Sequence, residues 1–172
     1  MTYKDMTEEG KTETNTSCLF CELGKNPENV IYENELFYAQ FDKFPITPGH
    51  AEIIPKKHIV SLLDLTPEEI LSLHEAVTET THLIDSMDLK EVYTKFLENP
   101  MNESSAWFCQ KMLEHPGLER KPDAYNYGNN DGEAAGRTVH HLHIHIIPRF
   151  KGDMRDPKGG IRYIIPGMGS YK

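Results

Sequence analysis

Polar and apolar residues alternate strictly from His141 to Ile147 (HLHIHII), and a period of two over that length predicts a β-strand. On a strand, His141, His143 and His145 share one face, spaced about 6–7 Å apart, while Leu142, Ile144 and Ile146 face a core. Upstream, Val30–Tyr32 and Glu35–Asp42 read as two strands broken at Glu33-Asn34. The turn chemistry of Pro45 to Gly49 (PITPG) then leads into a strand over His50–Pro55. Thr66-Pro67-Glu68-Glu69 is a capping box with proline at the first helical position. It predicts a helix to about Met87, with Ile70, Leu73, Val77 and Ile84 as its buried stripe. Val92-Tyr93 and Phe96-Leu97 carry the helical pattern on to Asn99-Pro100. Ser104–His115 predicts a further short helix stopped by Pro116-Gly117, and Asp123–Gly128 a strand before the histidines. The first strands read as the start of a β-meander.

Composition narrows the class. At 172 residues the chain suits one domain with a formed core. Its net charge of −9 argues against gripping long nucleic acid by phosphate neutralisation, yet leaves room for a small phosphorylated ligand. No apolar run reaches the roughly 20 residues of a membrane span. Residues 1–16 (MTYKDMTEEGKTETNT) offer little to bury, so a flexible tail is expected rather than a signal peptide. A cytoplasmic location follows as the expectation, with Cys18, Cys21 and Cys109 as reduced thiols or metal ligands.

Three imidazoles in a row are a poor packing surface, and exposed strands favour Thr, Lys or Glu over such a decoration. The pattern therefore points to a metal site or to a nucleophile with acid/base partners. Cys18-Leu19-Phe20-Cys21 is a C-x-x-C without the βαβ context of a redox pair, which favours a zinc half-site needing two more ligands.

Taken together, these pieces resemble the histidine triad (HIT) superfamily. They stand in the family's order: Cys18-x-x-Cys21, Phe41-Asp42, Pro48-Gly49-His50, Ile54-Pro55-Lys56-Lys57-His58, Asn130, Ala135-Gly136-Arg137-Thr138-Val139, and His141-x-His143-x-His145 through Pro148-Arg149. The resemblance covers roughly Cys18 to Arg149. It implies an α+β fold, a five-stranded antiparallel sheet with one long helix, usually in a homodimer that hydrolyses or transfers nucleotides at an α-phosphate. It also implies a HIT domain over 17–150, a short helical insertion at about 88–122, and a C-terminal extension over 151–172.

Carried over residue by residue, the resemblance makes His143 the nucleophile and lets His145 meet developing charge. Asn130 and Thr138 position phosphate oxygens, Asp42 accepts from ribose hydroxyls, and His50 lies on the phosphate side. Cys18, Cys21, His58 and His141 match the structural zinc site of one branch of the family. Cys109 reads as a packed thiol. One departure is Arg137, where the family usually has Gln; its guanidinium either pairs with phosphate, which suits a polyphosphate, or points away and is neutral for function. The functional expectation is a zinc-containing hydrolase of dinucleoside polyphosphates of the diadenosine tetraphosphate type, acting through a nucleotidyl-histidine. A nucleoside phosphoramidase of the same family and a non-catalytic zinc-binding adaptor are the alternatives. Membrane and nucleic-acid partners are not expected.

Overall fold

A computed structural model describes residues 18–169. The expected tail over 1–16 lies outside the described residues. After a short helix α1 (Leu19–Leu23), strands β1 (Tyr32–Glu33), β2 (Phe37–Phe41) and β3 (Ala51–Pro55) form a meander. Helices α2 (Pro67–Ser86), α3 (Leu89–Glu98) and α4 (Glu103–Leu113) follow, then β4 (Ala124–Gly128) and β5 (Ile144–Arg149). The strands make one antiparallel sheet in the order β1-β2-β3-β5-β4. The α+β class and the five-stranded sheet expected from the chain are both present.

Every residue of β2 and β3 is buried, because the sheet is covered on both faces. On one face Phe37, Ala39, Phe41, Ala51, Ile53, Leu142, Ile144 and Ile146 pack against α2 and α3. On the other, Tyr38 and Ile54 pack against Cys18 and Phe20 of the N-terminal segment. The period-two alternation of each strand thus separates an apolar core from a second face where α1 and the functional groups sit.

Local chemistry sets the element ends and corrects several expectations. The Asn34 side chain accepts from the amides of Leu36 and Phe37, so the β1–β2 turn falls after Tyr32–Glu33, one residue later than the apolar run suggests. Thr66 and Glu69 close the capping box of α2. Its buried stripe is Leu73, Ala76, Thr80 and Ile84, and Ile70 is exposed. The helical pattern does not run on unbroken: Asp88 caps a new helix by accepting from Lys90 and Glu91. The histidine strand begins at Ile144, not His141, although Leu142 is tied to the Ile59 carbonyl by its amide at 2.7 Å.

Helices α3 and α4 are integral to the core. Tyr93 is fully buried and its hydroxyl accepts from the Gly49 amide at 2.8 Å. Phe96 stacks edge-on against Phe41, and Phe108 against Phe44. Cys109 is buried in the same core. Among the described residues, no helix is long and apolar enough to cross a membrane.

Candidate active site and metal centre

The cross-strand register brings the chemistry together. Glu52 of β3 is the partner of Gln40 on β2 and of His145 on β5, so the three side chains form a row on the second face of the sheet. Beside this row lies a cavity of about 270 Å³. Asp42, Asn130, Gly136, Thr138, His143 and His145 line it, with Gln40, Lys43 and Glu52 on its floor and Phe20, Phe44 and Met101 among its apolar walls.

His143 and His145 are held as particular tautomers. The His143 Nδ1–H donates to the His141 carbonyl at 2.8 Å, which leaves Nε2 with a free lone pair. His50 Nδ1 has the Ile46 amide and Asp42 Oδ2 both at 3.4 Å; with the Ile46 amide donating to it, His50 carries its proton on Nε2. That proton is donated to His145 Nδ1 at 3.1 Å, leaving His145 with an Nε2–H to offer. Burial, reinforced by His50 and His143, pushes His145 down to about 4 and keeps it neutral near pH 7. One ring presents a free Nε2 lone pair and its neighbour, 5.0 Å away between centroids, an Nε2–H.

Not every expected ligand group reaches the cavity. His50 is buried behind His145, its Nε2 3.1 Å from His145 Nδ1 and its Nδ1 3.4 Å from Asp42 Oδ2. Arg137 points away as well: it donates to the Val60 carbonyl at 3.2 Å and faces Asp131 at 3.6 Å. Arg149 is bound by Asp153 and Asn126. Arg162 donates to the Met168 carbonyl. Of the two readings of Arg137, pairing with phosphate or pointing away, this arrangement is the second: its guanidinium is held by the Val60 carbonyl and by Asp131.

On the other side of Phe20, Cys18, Cys21, His58 and His141 each offer a donor atom within 4.8 Å of the others. Cys18 Sγ lies 3.3 Å from His141 Nδ1, and Cys21 Sγ lies 3.5 Å from both His141 Nδ1 and His58 Nδ1. Tetrahedral zinc with ordinary bond lengths separates sulfur from nitrogen by about 3.6 Å, so these three sulfur–nitrogen distances match a tetrahedral metal site to within a few tenths of an ångström. His141 Nε2–H donates to the Pro55 carbonyl at 2.9 Å, which presents Nδ1 to the thiols. Burial and the adjacent Cys18 thiol raise Cys21 to about 11, and only a cation in their midst would ionise such a thiol near neutrality. The C-x-x-C does open a short helix, with Cys18 at its N-cap, and among the described residues no strand–helix–strand unit includes it.

Two groups on the cavity floor escaped the sequence reading. Glu52 is buried, and burial with the Asp42 carboxylate raises it to about 8. Gln40 donates to it at 3.0 Å. The available signal was an acid and an amide at core positions of otherwise apolar strands.

A family model described as the HIT domain matches residues 24–152. The chain belongs to the HIT-domain family. Among solved structures, a HIT family protein from Bacillus anthracis superposes with a TM-score of 0.56 at 28% identity, covering 83% of this chain and 78% of that one. A Zn-bound histidine triad family protein from Mycobacterium smegmatis gives 0.51 at 29%, covering 88% of this chain and 93% of that one. An asymmetrical bis(5'-nucleosyl)-tetraphosphatase from Schizosaccharomyces pombe is 31% identical over 127 residues, 74% of this chain and 52% of the relative.

Proposed function

We propose that the protein is a nucleotide hydrolase that transfers a nucleotidyl group from an α-phosphate to His143 and then to water. The observation that carries this reading is the pair of fixed tautomers: His143 has its Nδ1–H committed to the His141 carbonyl, and His145 has its Nδ1 committed to His50. Nε2 of His143 attacks phosphorus as the bond to the leaving group breaks, and a phosphorus–nitrogen bond forms. The Nε2–H of His145 bonds the oxygen on which charge builds. Asn130 and Thr138 hold the non-bridging oxygens, and Asp42 accepts from the sugar. Water then resolves the phosphoramidate and regenerates the neutral ring.

For the leaving group we infer a dinucleoside polyphosphate of the diadenosine tetraphosphate type, which the tetraphosphatase relative supports. One observation favours a second reading. Arg137, Arg149 and Arg162 are all bonded elsewhere, so a polyphosphate tail finds none of these guanidinium groups. A nucleoside phosphoramidate, whose leaving amine needs no such partner, suits that arrangement. Turnover of diadenosine tetraphosphate against adenosine 5'-phosphoramidate, for the native protein and His143→Ala, separates the readings. Mass spectrometry of the acid-quenched native enzyme should find a nucleotidyl adduct on His143, and equal turnover by both proteins would sink the assignment.

Cys18, Cys21, His58 and His141 would hold zinc. Two thiolates and two imidazoles leave no open position, so its contribution is structural: it ties α1 to the segment that carries the nucleophile. The adaptor alternative, a zinc protein without catalysis, is tested by the same turnover experiment.

A further inference from the structure

Among the described side chains, Glu52 stands out as a buried, titratable group that the mechanism above leaves unused. It lines the cavity, and one of its carboxyl oxygens lies within 4.8 Å of ring nitrogens of both His143 and His145. Its Oε2 accepts from Gln40 Nε2 at 3.0 Å; Oε1 has no hydrogen-bond partner among the described residues and is not sealed from the cavity. Gln40 is itself 1% exposed, and its own Oε1 is buried without a partner. A buried amide locked to a buried carboxyl with an orphaned acceptor is a poor core pair compared with the apolar neighbours Tyr38 and Ile54 on the same face. Such a pair is explained by a ligand that uses it.

The polarity of the cavity identifies which part of a ligand that is. The wall of Asn130, Gly136 and Thr138 offers neutral hydrogen-bonding groups suited to phosphate oxygens. The wall of Asp42 and Glu52 offers carboxyl oxygens, which accept from O–H or N–H and, where ionised, repel phosphate. Other groups facing Glu52 are Tyr38 and Lys43 from β2 and its following turn, His50 at the start of β3, and His143 and His145 beside β5. Lys43 is drawn off over the Phe96 ring at 3.8 Å from its centroid. Apolar Phe20, Phe44, Leu19, Leu23 and Met101 complete the enclosure and suit the faces of a sugar or a base.

We propose that Glu52, oriented by Gln40, is a specificity-determining residue that accepts a hydrogen bond from a neutral O–H or N–H donor on the nucleoside half of the ligand and keeps a second phosphate off that wall. The inference rests on the nucleotide reading above. The donor is a sugar hydroxyl or an exocyclic amine of the base, and the two sources are separable.

The test is calorimetric binding of four monophosphates to the full chain: AMP, IMP (amine replaced by carbonyl), 2'-deoxy-AMP and 3'-deoxy-AMP. The native protein should bind at least one analogue about tenfold more weakly than AMP, and the analogue that fails names the donor. Glu52→Leu should lose that discrimination. Donation to the carboxylate also couples to its ionisation, so AMP binding should tighten about tenfold between pH 7 and pH 9 in the native protein and stay flat in the isosteric Glu52→Gln, whose folding a thermal melt checks. Equal binding of all four, discrimination that survives in Glu52→Leu, or a pH slope that survives in Glu52→Gln overturns the role of Glu52 alone. Failure of every monophosphate to bind overturns the nucleotide reading and this one together.

Discussion

The Nδ1–H of His143 donates to the carbonyl of His141 at 2.8 Å, two residues back on the same segment. The backbone therefore sets the tautomer of the proposed nucleophile. His141 is in turn fixed through its Nε2–H by the Pro55 carbonyl. The expected outcome for His143→Ala is a fall in kcat of roughly a thousandfold or more with the fold retained, since removing a nucleophile eliminates the covalent route. Steady-state kinetics beside a thermal melt checks it.

His50 earns its position by what it does to His145. Its Nε2–H is the only donor to His145 Nδ1 among the described residues, so His50→Ala frees the His145 ring to take either tautomer. We expect kcat to fall roughly ten- to a hundredfold, by analogy with other partners that orient a working imidazole, with KM little changed. His50→Gln, which can still donate, should recover part of the loss. A variant with KM raised and kcat intact would instead make His50 a ligand-binding group.

The depressed pKa of His145 has a stability consequence. Burial and His50 hold it at about 4 in the folded protein, against an unperturbed 6.5. Between these values the unfolded chain binds a proton that the native ring refuses, so unfolding gains as pH falls through this window. The His145 contribution should be constant above about pH 6.5 and be lost toward pH 4, while Glu52, raised to about 8, adds the opposite slope between its ordinary carboxylate range and pH 8. The measurement is Tm against pH. His145→Gln should show a shallower decline than the native protein, and an identical slope would remove His145 as a cause.

Much of this was legible in the chain, for identifiable reasons. The period of two in HLHIHII tracks a strand buried on one face, so Leu142, Ile144 and Ile146 fell in the core as read. The capping box at Thr66 begins α2 where expected, because both of its hydrogen bonds are local. Local rules did not reveal Arg137's partner, since Val60 is 77 residues away and only the fold brings its carbonyl near. Nor did they reveal Glu52: its neighbours Gln40 and His145 come from two other strands, and register is a property of the sheet. The convergence of Cys18, Cys21, His58 and His141 on one point came from the family resemblance, and their donor atoms are close enough to test it.

For the metal, we expect one zinc per chain in the purified protein, lost on Cys18→Ala or His58→Ala and retained in His143→Ala. A metal present at about a thousand times its dissociation constant adds roughly 4 kcal/mol of stability. At about 2–4 °C per kcal/mol for a domain of this size, its loss lowers Tm by roughly 10 °C. Elemental analysis with melts in the presence and absence of chelator provides the check. Zinc lost only from His143 and His145 variants would move the site to the cavity.

The last prediction concerns the insertion. Tyr93 on α3 is fully buried, and its hydroxyl takes the amide proton of Gly49, whose positive φ of 85° makes the turn leading to His50. That amide has no other partner among the described residues. Tyr93→Phe keeps the ring packing and leaves a buried N–H unsatisfied, at a cost of about 1–3 kcal/mol. The shift should be roughly 5 °C in Tm. Tyr93→Ala adds the cavity of the lost ring and should cost about 3–5 kcal/mol by the usual range for large aromatic truncations. If α3 were a detachable ornament, both variants would melt with the native protein. If it braces the Pro48-Gly49 turn, Tyr93→Phe should also lower kcat a few-fold without moving KM, because His50 follows Gly49 directly and orients His145.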